Sequence, residues 1–267
     1  MLFRSALLVG IVALGSLAPA CALADSPFDG TWKADVKSAQ APSKPDVFLL
    51  EKGTWSCKTC VPEVAVPADG MDHAVTGHPY YDSVAIKVAD DHTVQEIDKK
   101  GGKVVATSTS AITSDGKTMT TDFTDSSNSN AEPVKGKVTE SRVGAAAPKD
   151  AHAISGSWHV TSFSGFSDNG LMVTYKVDGD SLTMISPTGQ KYTAKMDGTD
   201  SPITGDPGVS SVSVAKMAGD KITETDKRDG KVISVATMTV AKDGKSMNVV
   251  YENKLQGTSM SYTSNKQ

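Results

Sequence analysis

The chain has 267 residues, about the length of two ordinary domains. It carries 27 Lys and Arg against 31 Asp and Glu, a net charge of −4, so the clustered positive charge that binds nucleic acid is not expected. Aromatic residues make up only 6% of the chain, while Thr, Ser, Val, Gly and Asp are abundant, a mixture that favours short strands joined by tight turns.

The first 24 residues are predicted to be an export signal. Arg4 gives a positive start, Ala6 to Leu17 is an apolar run too short to span a bilayer, and Ala22-Leu23-Ala24 fits a small-x-small cleavage site. The mature chain is then expected to begin at Asp25, in the periplasm or outside the cell. A lipoprotein anchored through Cys21 is the alternative. No later segment is apolar enough to be predicted as a transmembrane segment.

One stretch of the chain occurs twice. Shifting the numbering by 128 lays Asp69 to Met119 on Asp197 to Met247 without a gap. Among the identical pairs are Glu96 with Glu224, Asp98 with Asp226, and Asp115-Gly116-Lys117 with Asp243-Gly244-Lys245. A repeat longer than a solenoid unit indicates a duplicated domain. The sequence therefore predicts one β-barrel repeat over 25–143, a linker over 144–155 and a second repeat over 156–267.

Each repeat is predicted to contain about nine short strands. Val232, Ser234 and Ala236 illustrate the alternation that puts every second side chain on one face. The breaks between strands have turn chemistry, as at Asp178-Gly179 and Asp229-Gly230. A meander of this many strands is expected to close into a barrel, because closure removes exposed edges. The predicted fold class is all-β, with two tandem antiparallel meander barrels; an open two-sheet sandwich is the alternative.

The two repeats open on similar tripeptides, Gly30-Thr31-Trp32 and Gly156-Ser157-Trp158. A Gly-x-Trp on the first strand of an all-β meander resembles the opening signature of the lipocalin or calycin barrels. The chain is also similar to exported bacterial tandem-repeat proteins of unknown function. The lipocalin resemblance implies a cup for a small, mostly apolar ligand. It also implies that the Trp closes one end of the barrel under a basic residue from near the last strand. Arg142 fits this role in the first repeat, and the second repeat has no Arg near its end.

Cys57 and Cys60 are the two cysteines that follow the signal, and an oxidising compartment predicts a disulfide between them. Residues three apart in an extended strand are about 10 Å apart, too far for a disulfide. The second repeat has Pro187-Thr188-Gly189 at the matching place, so a turn is expected at the cysteines. A redox-active pair is the alternative, although such pairs usually lie at a helix amino terminus, which the sequence does not predict here.

The loop from Asp69 to Tyr80 is the other feature specific to the first repeat. His73, His78, Tyr80 and Tyr81 are predicted to contact the ligand at the mouth of the barrel. His73 and His78, with Asp72, form a hypothetical zinc or copper site. The spacing of the two cysteines and two histidines also matches a zinc finger. However, the eight residues from 61 to 68, extended over about 26 Å, would hold the two pairs apart.

The sequence contains no Gly-x-Ser-x-Gly elbow, no His-Glu-x-x-His and no phosphate-binding Gly-rich loop, so an enzyme is not predicted. The predicted function is an exported, non-catalytic binding protein for a small or apolar ligand. The alternatives are a metal-binding protein that uses His73 and His78, and a structural envelope protein with filled barrels.

Overall fold

The computed structural model describes residues 26–267, so the predicted export signal and Cys21 lie outside the described residues. The described chain is all-β, with two ten-stranded antiparallel sheets. Its helical structure is one turn of 3-10 helix at Asp168–Gly170. Within residues 26–267, no helix has the length and apolar character needed to cross a membrane.

Twenty strands run along the described chain. The first ten are β1 Gly30–Gln40, β2 Asp46–Glu51, β3 Thr54–Cys57, β4 Val64–Pro67, β5 His73–Ala74, β6 Ser83–Asp90, β7 Thr93–Lys100, β8 Lys103–Ile112, β9 Thr118–Asp125 and β10 Val134–Val143. The second ten are β11 Gly156–Ser164, β12 Met172–Asp178, β13 Ser181–Ile185, β14 Lys191–Lys195, β15 Asp197–Thr204, β16 Ser211–Lys216, β17 Lys221–Arg228, β18 Lys231–Val240, β19 Ser246–Asn253 and β20 Thr258–Lys266.

The prediction of two antiparallel barrels is confirmed, with ten strands per sheet instead of nine. Sequence patterning missed one strand in each repeat, β5 in the first and β15 in the second. β5 has only two residues, and β15 contains Asp197-Gly198 and Pro202, which are typical of turns. Both strands nevertheless pair with the strand that follows them, because backbone hydrogen bonding does not depend on side-chain pattern.

The two sheets exchange their tryptophan-bearing strands. The first sheet has the order β4-β3-β2-β11-β10-β9-β8-β7-β6-β5, and the second is a closed barrel of β1 followed by β12 to β20. β11 opens the second sequence repeat but lies in the first sheet, between β2 and β10. β1 opens the first repeat but lies in the second sheet, between β12 and β20. The predicted boundaries of 25–143 and 156–267 follow the sequence repeat, and each sheet crosses them by one strand.

The two sheets differ in closure. In the second, β14 pairs with β15 through Lys191 with Thr204 and Tyr192 with Ile203, which completes the barrel. In the first, β4 and β5 are the two ends of the strand order, and the described residues contain no ladder between them. The first sheet is therefore barrel-shaped but has a seam beside the loop that contains His73 and His78.

Each exchanged strand buries a tryptophan in the core of the sheet it enters. Trp158 and Trp32 are both 0% exposed and lie in the first and second cores, respectively. The indole Nε1 of Trp158 donates to the carbonyl of Ile154 at 2.7 Å, and that of Trp32 donates to the carbonyl of Phe28 at 2.8 Å. Replacing such a tryptophan by alanine costs about 3–5 kcal/mol, so each sheet depends strongly on the other repeat.

A basic side chain covers each tryptophan. The guanidinium of Arg142 lies 4.1 Å from the ring centroid of Trp158, and Lys266 Nζ lies 5.3 Å from that of Trp32. Arg142 was expected to cover the tryptophan of its own repeat. It covers Trp158 instead because the strand exchange has brought that residue into the first sheet, and Lys266 takes the equivalent position in the second sheet.

Part of the predicted linker belongs to the first core. Ile154 is buried among the first-sheet residues, and Arg142 donates to the carbonyls of Ala153 and Ser155. Only the segment before these residues, around Ala145 and Ala146, is exposed.

We predict that cutting the chain between the repeats will not separate them. A protease recognition sequence inserted between the exposed Ala145 and Ala146 would leave each fragment with one strand in the other fragment's sheet. The cut protein should elute from a size-exclusion column at the position of the uncut protein and should separate only in denaturant.

The uncut insertion variant is the control. The disulfide between Cys57 and Cys60 lies inside the first fragment, so it cannot hold the fragments together. Elution as two separate fragments in native buffer would show that each repeat completes its own sheet.

Candidate functional site

A cavity of about 280 Å³ lies inside the first sheet. Its apolar wall consists of Phe48, Trp55, Val94, Val138, Ile154, Val160 and Phe163. Its polar wall consists of Asp46, Glu96, Ser108, Ser110, Thr121 and Glu140. Val160 and Phe163 belong to β11, so the exchanged strand forms part of the cavity wall. An interior that combines apolar walls with a few convergent polar groups is typical of a small-molecule site.

In the second barrel, tyrosines stand at positions equivalent to three residues of the first sheet, two of which, Phe48 and Val138, line this cavity. The strand registers pair Phe48 with Cys57 in the first sheet and Tyr175 with Met184 in the second. They also pair Thr121 with Val138 in the first sheet and Val249 with Tyr262 in the second. Phe48, Val64 and Val138 of the first sheet therefore correspond to Tyr175, Tyr192 and Tyr262 of the second. Tyr175 and Tyr192 are buried in the second core, where they occupy the barrel interior.

An acidic pair stands at the same place in both interiors. Glu96 and Asp98 lie on β7, and Glu224 and Asp226 are their equivalents on β17. Residues two apart on a strand face the same side, so each pair points inward together with the apolar residue before it. Each interior therefore contains two carboxyl groups at equivalent positions.

The hydrogen-bond donors for this pair are present in one barrel and missing in the other. In the second barrel the Tyr192 hydroxyl donates to Glu224, and the Ser234 hydroxyl donates to Asp226 at 2.6 Å. In the first sheet, Ala106 lies opposite Asp98, as Ser234 lies opposite Asp226. Val64 likewise takes the place of Tyr192. Consistent with this loss, Asp98 Oδ1 is buried without a hydrogen-bond partner in the described structure.

Two more carboxyl groups face the first interior. Glu140 is 5% exposed, and its carboxyl group makes no hydrogen bond within residues 26–267. Asp46 accepts a hydrogen bond of 3.2 Å from the Thr59 hydroxyl. The strand registers place Ser264 and Val173 at the equivalent positions of the second barrel, so both additions are specific to the first.

The four carboxyl groups have raised pKa values. Burial, and then the charge of Asp46, raises the pKa of Glu140 to about 7. Burial raises the pKa of Asp46, which the hydrogen bond from Thr59 partly offsets. Burial, and then the charge of Asp98, raises the pKa of Glu96, and burial likewise raises the pKa of Asp98. The ionised forms are therefore disfavoured as long as no positive charge enters the chamber.

No basic side chain in the described structure compensates these acids inside the chamber. None of the residues that line the cavity is Lys, Arg or His. Arg142 lies two positions after Glu140 on β10, but its guanidinium donates to the carbonyls of Gly116, Ala153 and Ser155 and covers Trp158.

The histidines predicted as ligand and metal residues lie outside the cavity. His73 Nε2 is 2.8 Å from Asp69 Oδ1, and Asp72 forms an ion pair with Lys99 at 2.6 Å. His78 stacks on Tyr81, with 4.7 Å between the ring centroids. The predicted metal ligands Asp72, His73 and His78 thus have three different partners. No cluster of three or more His, Cys, Asp and Glu side chains in the described part of the chain is placed to hold a metal ion.

The two predicted tyrosines have different positions. Tyr81 packs against the first core, and burial, followed by the charges of Asp98 and Glu96, raises its pKa; it therefore stands near the acidic pair. The Tyr80 hydroxyl donates to Asp206 of the second repeat at 2.9 Å. A Cβ atom at Gly208 would lie 2.2 Å from that hydroxyl, so glycine is required where Tyr80 docks. Tyr80 joins the two repeats and does not reach the chamber.

The predicted disulfide between Cys57 and Cys60 is confirmed, with 5.4 Å between the two Cα atoms. Cys57 ends β3, and the backbone N–H of Cys60 donates to Cys57 Sγ at 3.1 Å, as expected for a tight turn.

Sequence patterning did not identify the carboxyl groups as a site. Glu96 and Asp98 occur in both repeats, so the sequence comparison does not distinguish them as a feature of the first repeat. The signal was their spacing, since Val94, Glu96 and Asp98 alternate along one strand and place two acids on the face of a buried valine. Asp46 and Glu140 required the strand registers, because they come together only across β2, β11 and β10.

No protein-family model matches the chain, and a comparison with curated proteins finds no significant match. Function therefore has to be inferred from the cavity, its carboxyl groups and the donors that they lack.

We predict that Glu140→Gln stabilises the protein at pH 8 and changes its stability little at pH 4.5. The pKa of Glu140 is raised from an ordinary value of about 4.3 to about 7 in the folded chain. Its contribution to stability is therefore fully present below the unfolded pKa and is lost as the pH rises through 7. The difference between the two pH values should reach up to roughly 3 kcal/mol, measured from urea unfolding followed by tryptophan fluorescence.

Comparing the two pH values cancels the cost of burying the glutamine amide, which is the same at both. Glu132→Gln, at an exposed position, is the control and should show no such difference. An equal effect of Glu140→Gln at pH 8 and pH 4.5 would contradict the raised pKa.

Proposed function

We propose that this protein is an exported, non-catalytic binding protein that holds one small, mostly apolar ligand inside the first sheet. The observation that carries the proposal is the difference between the two interiors. Where the second barrel has Tyr175, Tyr192 and Tyr262, the first sheet has smaller or less polar side chains and a cavity of about 280 Å³. A hollow interior beside a filled copy of the same fold favours a site kept open for a ligand.

The size of the cavity limits the ligand. The cavity has a volume of about 280 Å³. That volume is close to the lower limit of roughly 300 Å³ for small-molecule pockets. The proposed ligand is therefore small, on the order of ten non-hydrogen atoms.

A lipocalin-like mode of binding is part of this proposal. It is supported by the Gly-x-Trp strand, the buried indole of Trp158 and the guanidinium of Arg142 above it. Together these close one end of the first interior. The disulfide between Cys57 and Cys60 supports an oxidising compartment such as the periplasm or the cell exterior.

The alternative of a structural protein with filled barrels is favoured by one observation, the tyrosine-filled interior of the second barrel. We assign that barrel the role of scaffold. It supplies the partner strands of β1, and Asp206 accepts the hydrogen bond from Tyr80.

Val138→Tyr is expected to abolish ligand binding in the first sheet. Tyrosine is the residue at the equivalent position of the second barrel, Tyr262, so the fold accepts it there, and its ring would occupy the cavity. Binding of 1-octanol is measured by titration calorimetry and by the change in fluorescence of Trp55, which lines the cavity.

Val143→Tyr makes the same substitution at an exposed position near the end of the same strand and should leave binding unchanged. If octanol binds equally well to a folded Val138→Tyr variant, the ligand site lies elsewhere and the proposal fails.

A further inference from the structure

The geometry points to a ligand that carries a protonated amine, bound by the carboxylates of Glu140 and Glu96, which both line the cavity. This inference rests on the proposed function, because it assigns the charge of the ligand that the first sheet would hold. The apolar wall would take the body of the ligand, and the acidic wall would take its amine.

Unsatisfied acceptors inside the first sheet carry the inference. Glu140 is 5% exposed and lines the cavity, and its carboxyl group has no hydrogen-bond partner within residues 26–267. Asp98 Oδ1 is also buried without a partner there. A buried polar group left unpaired is costly, and a buried charge left unpaired costs more. A group with several N–H donors inside the cavity would satisfy the carboxyl oxygens of Glu140 and Glu96, which line it.

The second barrel is an internal control for what the acidic pair requires. There the hydroxyls of Tyr192 and Ser234 donate to Glu224 and Asp226. The first sheet keeps both acids but has lost both donors, and it has gained the carboxyl groups of Glu140 and Asp46. A ligand with N–H donors in the first interior would take the place of the hydroxyls that Tyr192 and Ser234 supply in the second.

The number of acids favours a cation over a neutral donor. Three carboxyl groups line the cavity, those of Asp46, Glu96 and Glu140, and no Lys, Arg or His is among its described lining residues. The charged group whose field reaches Glu140 is Asp46 of β2, and Glu96 of β7 lines the same cavity. Asp98 and Tyr81 interact with Glu96 on its other side, and Arg142 of the same strand as Glu140 covers Trp158. Arg142 is held by three carbonyls at the tryptophan end, so the ligand is the source of the missing positive charge.

The aromatic wall fits the rest of such a ligand. Phe48 and Trp55 stack with 5.2 Å between their ring centroids, and Phe163 of β11 lines the same cavity. Aromatic faces accept both alkyl groups and cations. The ligand class is therefore a small amine with a short alkyl or aromatic body.

The test compares octylamine with 1-octanol at pH 8 on the full protein, by titration calorimetry. The two probes have the same chain and differ in the charged group; an alkylamine, like a lysine side chain, is protonated at this pH. Octylamine is expected to bind about ten- to a hundredfold more tightly, as for hydrogen bonds to charged groups. At pH 6.5 its binding should also release protons, detected by repeating the titration in two buffers of different ionisation enthalpy.

Glu140→Gln should reduce the preference for octylamine over octanol to about threefold or less. Glu224→Gln makes the same substitution in the second barrel and should leave the preference at its wild-type value.

Failure of the amine inference and failure of the proposed function give different results. Equal affinity of the wild-type protein for octylamine and octanol would overturn the amine inference while leaving a binding site in the first sheet. Binding of neither probe would overturn the inference together with the proposed function. A preference that persists in folded Glu140→Gln protein but disappears in Glu224→Gln would place the amine in the second barrel and overturn the assignment. The wild-type comparison needs no variant, so a folding defect in either variant does not affect it.

Discussion

The indole of Trp158 lies in the core of the first sheet, although its strand opens the second sequence repeat, and Trp32 lies in the second core in the same way. The rest of the structure depends on this reciprocal burial. β11 supplies Val160 and Phe163 to the wall of the cavity. Arg142 covers Trp158 only because β11 pairs within the first sheet. Neither interior is complete without the other repeat. The duplication therefore produced one interlocked unit instead of two independent barrels.

The two interiors show how one scaffold can hold opposite solutions to the same electrostatic problem. Both place two acids on an inward strand face. The second barrel satisfies them with hydroxyls from Tyr192 and Ser234, and its tyrosine rings fill the space. The first sheet has Val64 and Ala106 at those positions, so Asp98 Oδ1 is left without a partner in the described structure. An unpaired buried group costs about 1–3 kcal/mol. A filled, interlocked neighbour is a source of stability that can offset such a cost, as is common where function requires a destabilised site.

Sequence patterning predicted the strands, their antiparallel arrangement and the turn at Cys57 and Cys60, because these depend on local alternation and turn chemistry. It could not predict the strand exchange. Gly30-Thr31-Trp32 and Gly156-Ser157-Trp158 present almost the same faces, so either strand satisfies the pattern of either sheet. The loop of His73 and His78 contains side chains whose own chemistry indicates a site, whereas the cavity is distinguished by hydrogen-bond donors that its acids lack in the described structure. A comparison of Ala106 with Ser234 contains that information, but its meaning requires knowing that Asp98 faces inward.

The exchange also fixes the order in which the molecule can be assembled. β1 is synthesised first, yet its partner β20 is synthesised last; Ser38 and Thr263, which hydrogen-bond to each other, are 225 residues apart. Until β20 exists, β1 has no complete place in the second barrel, and the slot between β2 and β10 stands open until β11 is made. Because β1 resembles β11, a nascent chain can fill that slot with its own first strand and form a self-contained first sheet. Reaching the native arrangement then requires β11 to displace β1, which is a slow rearrangement. A chain that folds only after its last residues have been synthesised avoids this step.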